Sequence, residues 1–300
     1  MERDRSGSIE LSDVGRLTKF LTLQICRFFG RRRGPVTIRL VSSPPDSPAT
    51  ILKPHPVLSR YYQEDEQRRS FVGKLFDDAA GHYDRLEQLM SLGSGRWYRR
   101  EALKRAGLSP GMKVLDVATG TGLVAREALG IVGPGGRVIG IDPSVGMLSE
   151  AAGALPIGLV RGRAEELPFA PESFDFVSMG YALRHMADLT GALRQFLSVL
   201  KPGGILLMLE ITAPPRGLRR MLLGDYMGRL VPAISKVLPG GKAKRDGQSD
   251  RLLLEYYRDT IAHCVDPEII LEAMRATGLA NPRRRLELGI FSEYTAAKPG

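Results

Sequence analysis

The sequence has few of the residues from which covalently or metal-stabilised scaffolds are built. Its 300 residues include only 2 cysteines, 4 histidines and 1 tryptophan. Cys26 and Cys264 lie far apart, which argues against a disulfide framework or a cysteine-based zinc site and favours a reducing compartment, the cytoplasm. No apolar run approaches the roughly 20 residues that a membrane-spanning helix needs. We therefore expect a globular domain of the reducing interior.

Acidic residues are also in deficit. The formal net charge is +10 and the sequence pI is about 9.8, so anionic partners such as lipid headgroups are favoured. The arginines are scattered and no nucleic-acid motif accompanies them, so nucleic acid is not an expected partner. A hydrophobic content of 43% in a chain of this length is enough for one sizeable core with something appended.

A glycine-rich turn between a strand and a helix is the most informative stretch. Val114 to Val117 form a short apolar run typical of a buried parallel strand, and Gly120 and Gly122 follow at once. The next residues, 123–129, have the pattern of a helix start. Strand, glycine turn and helix form the first unit of a nucleotide-binding α/β sheet, whose ligand lies beyond the carboxyl end of the strand.

The turn alone leaves two cofactors open. Gly120-x-Gly122-x-x-Ala125 also satisfies the dinucleotide fingerprint, and Asp142 stands where a ribose-binding acid belongs. Asp116 inside the turn would repel a pyrophosphate but suits a ligand that carries an ammonium group. The segment 200–204, Leu-Lys-Pro-Gly-Gly, leads into a further apolar strand. Both features favour S-adenosylmethionine (SAM) over NAD, and an NAD-dependent oxidoreductase is the alternative.

The chain divides into an extension and a folded domain. We predict an N-terminal extension over residues 1–60, with proline-rich linkers such as 53–56, and a domain over 61–300. Within the extension, apolar residues recur at helical spacing over 17–28 and three arginines follow at 31–33. This pattern predicts a membrane-surface helix that contacts anionic lipid. The alternatives are a segment docked on the protein itself and translated sequence upstream of the real start.

Regular elements follow one another through the domain. A helical region at 71–106, interrupted at Gly93 and Gly95, is expected to cover the ligand crevice, and an irregular helical insertion is expected at about 214–264. Further helices are predicted at 188–200 and 267–276. Besides the first strand, the pattern predicts strands at 137–142, 157–160, 174–180, 205–211, 284–288 and 291–296.

These pieces together resemble a known family. The sequence is similar to the class I SAM-dependent methyltransferases and, more narrowly, to the UbiE family, the C-methyltransferases of menaquinone and ubiquinone biosynthesis. The resemblance covers about residues 71–297. It rests on segments in the right order, namely Phe76–Asp84, Leu89–Gly93, Asp116–Gly122, Glu165–Phe169, Tyr181–His185 and Leu200–Gly204. It implies a seven-stranded Rossmann-like sheet with helices on both faces, a helical N-terminal cover and a helical insertion before the last strands.

The resemblance also implies the cofactor contacts. The methionine part of SAM would be held by Asp116 and the backbone around Thr119, Gly120, Thr121 and Gly122. Asp142 would accept the ribose hydroxyls, Met147 would flank the adenine, and Gly180 would lie beside the transferred methyl. Arg163 and Ala164 would place backbone groups near the ring edge. Two positions depart from the family pattern: Ala118 replaces its first glycine, and Arg163 replaces an asparagine or aspartate.

Catalytic candidates follow from the chemistry and the resemblance together. A sulfonium methyl is already activated, so neither a metal nor a covalent nucleophile is needed. The resemblance implies that Arg184 orients the acceptor with Tyr83, and it places His185 where the family has asparagine. With an ordinary pKa near 6.5, His185 is a candidate base for the ring proton. The alternative is structural, with Arg184 bridging to Asp188 or Glu210 and His185 capping a helix.

The function expected from the sequence is methyl transfer to a ring carbon of a lipophilic quinone or quinol precursor, reached from the membrane surface. The alternatives are a methyltransferase of the same fold acting on a phospholipid amine or a polyketide-type metabolite, and a non-catalytic partner of a biosynthetic assembly. Besides the lipophilic acceptor, the expected partners are a membrane surface and, as an open option, a second copy in a homodimer.

Overall fold

The computed structural model describes residues 51–213 and 247–300, and its centre is a seven-stranded sheet with strand order β3-β2-β1-β4-β5-β7-β6. The strands are β1 Lys113–Val117, β2 Arg137–Asp142, β3 Gly158–Arg161, β4 Phe174–Gly180, β5 Leu200–Ile211, β6 Ala280–Glu287 and β7 Phe291–Ala297. The first five pair in parallel and β7 is antiparallel to both of its neighbours. The strand order reverses beside β1, which is where open α/β sheets bind ligands.

Helices cover this sheet and its carboxyl edge, the edge at which the parallel strands end. The helices of the described residues are α1 Asp65–Ala79, α2 Tyr83–Met90, α3 Gly95–Arg105, α4 Leu123–Val132, α5 Val145–Ala154, α6 Leu189–Val199, α7 Gly247–His263 and α8 Pro267–Ala276. Two single 3₁₀ turns, Ala80–His82 and Leu183–His185, complete the set. The predicted fold class is confirmed.

Local sequence explains where several helices begin. The Ser144 side chain accepts the backbone N–H of Met147 at the start of α5, and Asp188 accepts that of Gly191 at the start of α6. Pro267 opens α8, where its missing N–H costs nothing. Differences from the prediction are small. The region 71–106 breaks into three helices instead of two, and β5 starts at Leu200 instead of Ile205 because Leu200 pairs with Phe174 across a bulge.

The core has two layers, one on each face of the sheet. On one face, α6 and α8 pack against the strands through side chains such as Phe196 and Met274. On the other face, α3 and α4 do so through Leu103 and Ala128. The central strands are therefore buried on both sides, which is why they are continuous apolar runs in the sequence.

A third apolar cluster joins the cover to the last part of the insertion. It brings Leu58 and Tyr62 together with α1 and α7. Residues 51–60, which the sequence assigned to the extension, pack on the domain: the carbonyl of Leu52 accepts the N–H of Leu189 at 3.0 Å and that of Pro54 accepts the N–H of Val265 at 2.8 Å. Prolines hold this stretch extended, which leaves its carbonyls free to accept these bonds.

The predicted membrane-surface helix at 17–28 and most of the predicted insertion lie outside the described residues. The described end of the insertion is the regular helix α7. In 51–213 and 247–300, no helix is both long and apolar enough to cross a bilayer.

Candidate active site

A pocket opens at the carboxyl edge of β1, β2 and β4, under the cover formed by α1 and α2. Its lining includes many of the residues singled out from the sequence, namely Tyr83, Gly120, Asp142, Met147, Arg163, Ala164, Gly180 and His185. Phe76 and Tyr257 also line it. One pocket therefore contains both the expected cofactor residues and the expected acceptor residues.

Asp142 ends β2 at the floor of this pocket. Its Oδ2 accepts the N–H of Gly120 at 2.8 Å and its Oδ1 accepts the N–H of Ser144 at 2.9 Å. Burial raises the pKa of this carboxyl to about 6, although both backbone bonds act to lower it. Each oxygen keeps a lone pair for another donor, so the carboxylate can accept both hydroxyls of a ribose.

The glycine turn has the backbone that close approach to a ligand requires. Gly120 and Gly122 have φ values of 56° and 89°, in the left-handed region that glycine adopts without steric cost. Ala118, the departure from the family pattern, has φ 52°. It fits, as expected for a small residue, but its Cβ adds a strain of about 1–2 kcal/mol that glycine would not have.

Asp116 lies beneath the turn and not in the pocket wall. Its Oδ1 accepts the hydroxyl of Ser178 at 2.6 Å and its Oδ2 accepts that of Thr119 at 2.7 Å. Burial raises its pKa to about 6, and Asp142 adds to the shift. Through these bonds the carboxylate joins β1, β4 and the turn, and its contact with the methionine part of SAM stays a prediction.

Thr119, Thr121 and Gly122 likewise support the turn. The Thr121 hydroxyl donates to Asp84 of α2 at 2.5 Å. A Cβ on Gly122 would lie 2.4 Å from a Leu155 methyl, so this position needs glycine for packing as well as for φ. These residues shape the site without lining it.

Two acids of the cover attach it to the cofactor side of the pocket. Asp77 of α1 accepts the Ser144 hydroxyl at 2.5 Å and the Gly146 N–H at 2.9 Å. Asp84 of α2 accepts the Thr121 hydroxyl. The cover is thus bonded to the glycine turn and to the start of α5, which are the two elements that surround Asp142.

The opposite wall of the pocket is aromatic. The ring of His185 is stacked 5.4 Å from that of Tyr256 and 5.6 Å from that of Tyr257, and it meets Phe76 edge-on at 5.2 Å. The hydroxyl of Tyr257 donates to that of Tyr83 at 3.2 Å. Such a wall suits a flat apolar ring bearing oxygen substituents.

His185 is held in this wall without hydrogen bonds. Among the described residues, neither of its ring nitrogens has a partner. Burial lowers its pKa well below the usual value, and the charges of Arg184 and Arg68 lower it further. The side chain is therefore neutral at pH 7, with one nitrogen able to accept a proton. It does not cap a helix.

Arg184 is buried behind the wall instead of lining the pocket. Its guanidinium forms an ion pair with Glu210 and lies 4.9 Å from the centre of the Tyr257 ring. Burial alone would lower the pKa of Arg184, but Glu210 together with Tyr257, Cys264 and Tyr83 offsets this and the pKa is raised. The bridge to Glu210 that the sequence offered as the structural alternative is present. The bridge to Asp188 is not the arrangement seen, because Asp188 caps α6.

Comparison with known proteins decides the family. The family model described as the ubiE/COQ5 methyltransferase family matches residues 62–298. This chain belongs to that family. The ubiquinone/menaquinone biosynthesis C-methyltransferase UbiE of Hahella chejuensis is 33% identical over 77% of this chain and 93% of its own length. The demethylmenaquinone methyltransferase of Mycobacterium tuberculosis is 31% identical over 76% and 93%. The chain is therefore a SAM-dependent methyltransferase.

Solved structures agree on the fold. A SAM-dependent methyltransferase of Thermotoga maritima has a TM-score of 0.51 at 19% identity and matches over 75% of this chain and 99% of its own. Another from Aquifex aeolicus has a TM-score of 0.50 at 17% identity, over 72% and 97%. The fold is therefore that of these structures, while the family match and the named relatives confirm the predictions of family, cofactor and enzyme class and set aside NAD and a non-catalytic role.

A second buried cation of this methyltransferase was not expected from the sequence. Arg68 of α1 is 1% exposed, and its Nη2 donates to His55 Nε2 at 2.8 Å and to the carbonyl of Arg184 at 2.7 Å. Both acceptors are neutral, since burial and the charge of Arg68 lower the pKa of His55 to about 4. The positive charge of Arg68 thus acts on the backbone next to His185 with no carboxylate among these acceptors.

Tyr257 is the functional candidate that sequence reasoning missed. It lies on α7, in the segment read only as an insertion, yet it contacts Tyr83, His185 and Arg184. The available signal was a pair of adjacent tyrosines, Tyr256 and Tyr257, in a helix whose other face is charged. Nothing in the pattern indicated which part of the domain that helix would contact.

Proposed function

We propose that this methyltransferase transfers the methyl group of SAM to a ring carbon of a lipophilic quinol, the kind of acceptor for which its named relatives are known. The observation that carries the proposal is the composition of the pocket. Asp142 and Met147 lie on one side of it, and the aromatic wall of Phe76, Tyr83 and Tyr257 lies on the other. A polar nucleoside and a flat apolar ring could therefore meet in one space.

The residues present fit SAM. Asp142 has free lone pairs for the ribose hydroxyls, Met147 and Ala164 offer apolar surface for the adenine, and Ala118 and Gly120 bring backbone close to the ligand. Arg163 lines the pocket with a side chain that is 45% exposed. A Cβ on Gly180 would meet Val124 at 2.6 Å, which keeps this position small. When bound, SAM supplies an electrophilic methyl on a sulfonium.

The protein's own residues would then favour attack by carbon. The phenolate form of a quinol carries more electron density on its ring carbons than the phenol does. The buried charge of Arg68, which has no carboxylate among its acceptors, would stabilise such an anion, whereas that of Arg184 is balanced by Glu210. We propose that Tyr83, with Tyr257, donates a hydrogen bond to the phenol oxygen. Burial raises the pKa of Tyr83, so it remains a donor at neutral pH.

His185 is the proposed base. As the new carbon–carbon bond forms and the sulfur–methyl bond breaks, the attacked ring carbon must lose its hydrogen as a proton. The neutral, unpartnered imidazole of His185 can take that proton and pass it to water after product leaves. Burial keeps the base neutral beforehand by lowering its pKa, and the charges of Arg184 and Arg68 lower that pKa further. In this proposal Arg184 is a positioning residue and not a ligand of the acceptor.

We further propose that the enzyme works in the cytoplasm at the surface of a membrane, because a quinol with a prenyl tail resides in the bilayer. The net charge of +10 supports attraction to anionic headgroups. A second copy of the chain in a homodimer stays a prediction.

Loss of the gene in its host, followed by mass spectrometry of the lipid extract, tests the acceptor. We expect accumulation of a quinone precursor lighter by one methyl group, restored by the wild-type gene and not by a gene carrying Asp142→Asn. An unchanged quinone pool accompanied by an unmethylated phospholipid amine or polyketide would instead favour one of those acceptors.

A further inference from the structure

Two turns of this enzyme have the same unusual composition. In Ser91–Ser94 and Glu287–Ile290 the last N–H bonds the first carbonyl, at 3.0 and 3.1 Å. The central residues are leucine and glycine in both, with φ 50° and 76° at Leu92 and Gly93 and φ 52° and 75° at Leu288 and Gly289. Two positive φ values define the type I′ class, whose first central position favours asparagine, aspartate or glycine.

Leucine is an unfavourable choice for these positions in water. The backbone is strained by the Cβ, and the side chains are 80% exposed at Leu92 and 81% exposed at Leu288, so no burial offsets the strain. The other exposed non-glycine residues with positive φ in the described chain are polar, Asn281 and Glu172. Neither leucine therefore stabilises the fold of the free protein through burial.

Both turns lie at the carboxyl edge of the sheet, where the pocket opens. The second turn leads into β7, whose first residue, Phe291, pairs with Ile211 at the end of β5. The first turn leads into α3, whose Tyr98 ring lies tilted against the Phe291 ring with their centres 4.9 Å apart. Trp97, which precedes Tyr98 in the first turn of α3, is 65% exposed.

We propose that Leu92, Trp97 and Leu288 form a membrane-docking edge that enters the boundary between headgroups and acyl chains of an anionic bilayer. Tryptophan prefers that boundary, and burial of a leucine side chain in an apolar phase offsets its backbone strain. Arg96 precedes Trp97 in the sequence and Arg285 lies three residues before Leu288. Their side chains are 76% and 61% exposed although they pair with Glu127 and Glu287. The inference rests on the proposed function, because a bilayer-borne acceptor gives the docking its purpose.

The test is the double variant Leu92→Asn/Leu288→Asn in sedimentation with vesicles of phosphatidylglycerol and phosphatidylcholine. Asparagine adopts the left-handed region more readily than leucine, so we expect the double variant to have a melting temperature equal to or higher than that of the wild type. Removing two inserted leucines should weaken vesicle partition by about tenfold or more. If the two leucines had only a structural role, the double variant would lose stability. Weaker vesicle partition at unchanged stability therefore supports a role in docking.

A matched control places a leucine at the opposite edge. Asn281, near the start of β6, has φ 51° and is exposed like the two leucines. Adding Asn281→Leu to the double variant should not restore vesicle partition, because that leucine points away from the docking edge of the sheet.

Unchanged partition of the double variant would overturn the proposal. So would conversion of a dimer to a monomer with unchanged vesicle binding, since the edge would then be an interface between two copies. Methylation of a short-tailed quinol in buffer is measured in parallel. If the wild type fails to methylate it, the proposed function fails, while the vesicle result still decides the docking edge.

Discussion

At the scale of single residues, His185 is the central group of the proposed chemistry. Its ring is stacked against that of Tyr256 and meets Phe76 edge-on, and neither ring nitrogen has a hydrogen-bond partner among residues 51–213 and 247–300. Such an arrangement costs free energy unless an incoming group bonds one of the nitrogens. The sequence identified this residue because it departs from the family's asparagine. It could not show that Arg184, next to it, is committed to Glu210, since that pairing depends on how β5 lies against β4.

His185→Ala should lower single-turnover methyl transfer by about 10²–10⁴-fold, the usual contribution of a positioned base. S-adenosylhomocysteine affinity, measured by calorimetry, should change little, because His185 lies on the acceptor side. His263→Ala is the matched control, since that histidine is exposed on α7 and bonds only a backbone carbonyl. Lost cofactor binding with an unchanged single-turnover rate would contradict the assignment.

Asp142 should make cofactor affinity depend on pH. Its pKa is raised to about 6 in the free protein, and ribose hydroxyls donate to the ionised form, so binding favours loss of the proton. Affinity for S-adenosylhomocysteine should therefore fall as pH drops through about 6 and be roughly tenfold weaker at pH 5 than at pH 7.

Two amide variants separate the acids that share this pKa. Asp142→Asn should bind weakly at every pH, without the slope. Asp116→Asn should retain the slope, because Asp116 bonds Ser178 and Thr119 beneath the turn and, unlike Asp142, does not line the pocket. If the pH dependence of affinity disappears only in the Asp116 variant, the titrating group is Asp116 and the assignment to Asp142 is contradicted.

At the scale of elements, the cover is the part that depends on few bonds. Helices α1 and α2 are attached to the cofactor side through Asp77 and Asp84. Sequence patterns predicted the strands and α8 well, because buried strands and capped helices have local signals. They missed the packing of 51–60, since an extended proline-containing stretch has the same local pattern whether it is a linker or a packed segment.

Asp77→Ala should loosen the cover without unfolding the domain. It removes two hydrogen bonds at the start of α5, one of them to Ser144 beside Asp142. We expect faster proteolysis within 65–90 and a SAM dissociation constant raised by about tenfold, since charge-assisted bonds contribute about 1.5–3 kcal/mol each. Asp78→Ala, at the next and also exposed position, is the control. Equal effects of both variants would show that general helix charge is responsible.

At the scale of the whole molecule, the pocket joins parts of the chain that are distant in sequence. Tyr83 and Tyr257 share a hydrogen bond although 174 positions separate them. Spacing rules could find Asp142 and the glycine turn because each is fixed by one strand and the turn after it. No such rule reaches the aromatic wall, which exists only once α1, α2 and α7 pack together over the sheet.

The central claim is that this pocket directs an activated methyl group to a ring carbon. The most direct test is a single turnover with SAM labelled with carbon-13 in the transferred methyl and a short-tailed quinol that lacks one ring methyl, followed by mass spectrometry and NMR of the product. We predict the label on a ring carbon, with one ring hydrogen lost. Label on an oxygen, or no transfer from protein that still binds S-adenosylhomocysteine, would contradict the account.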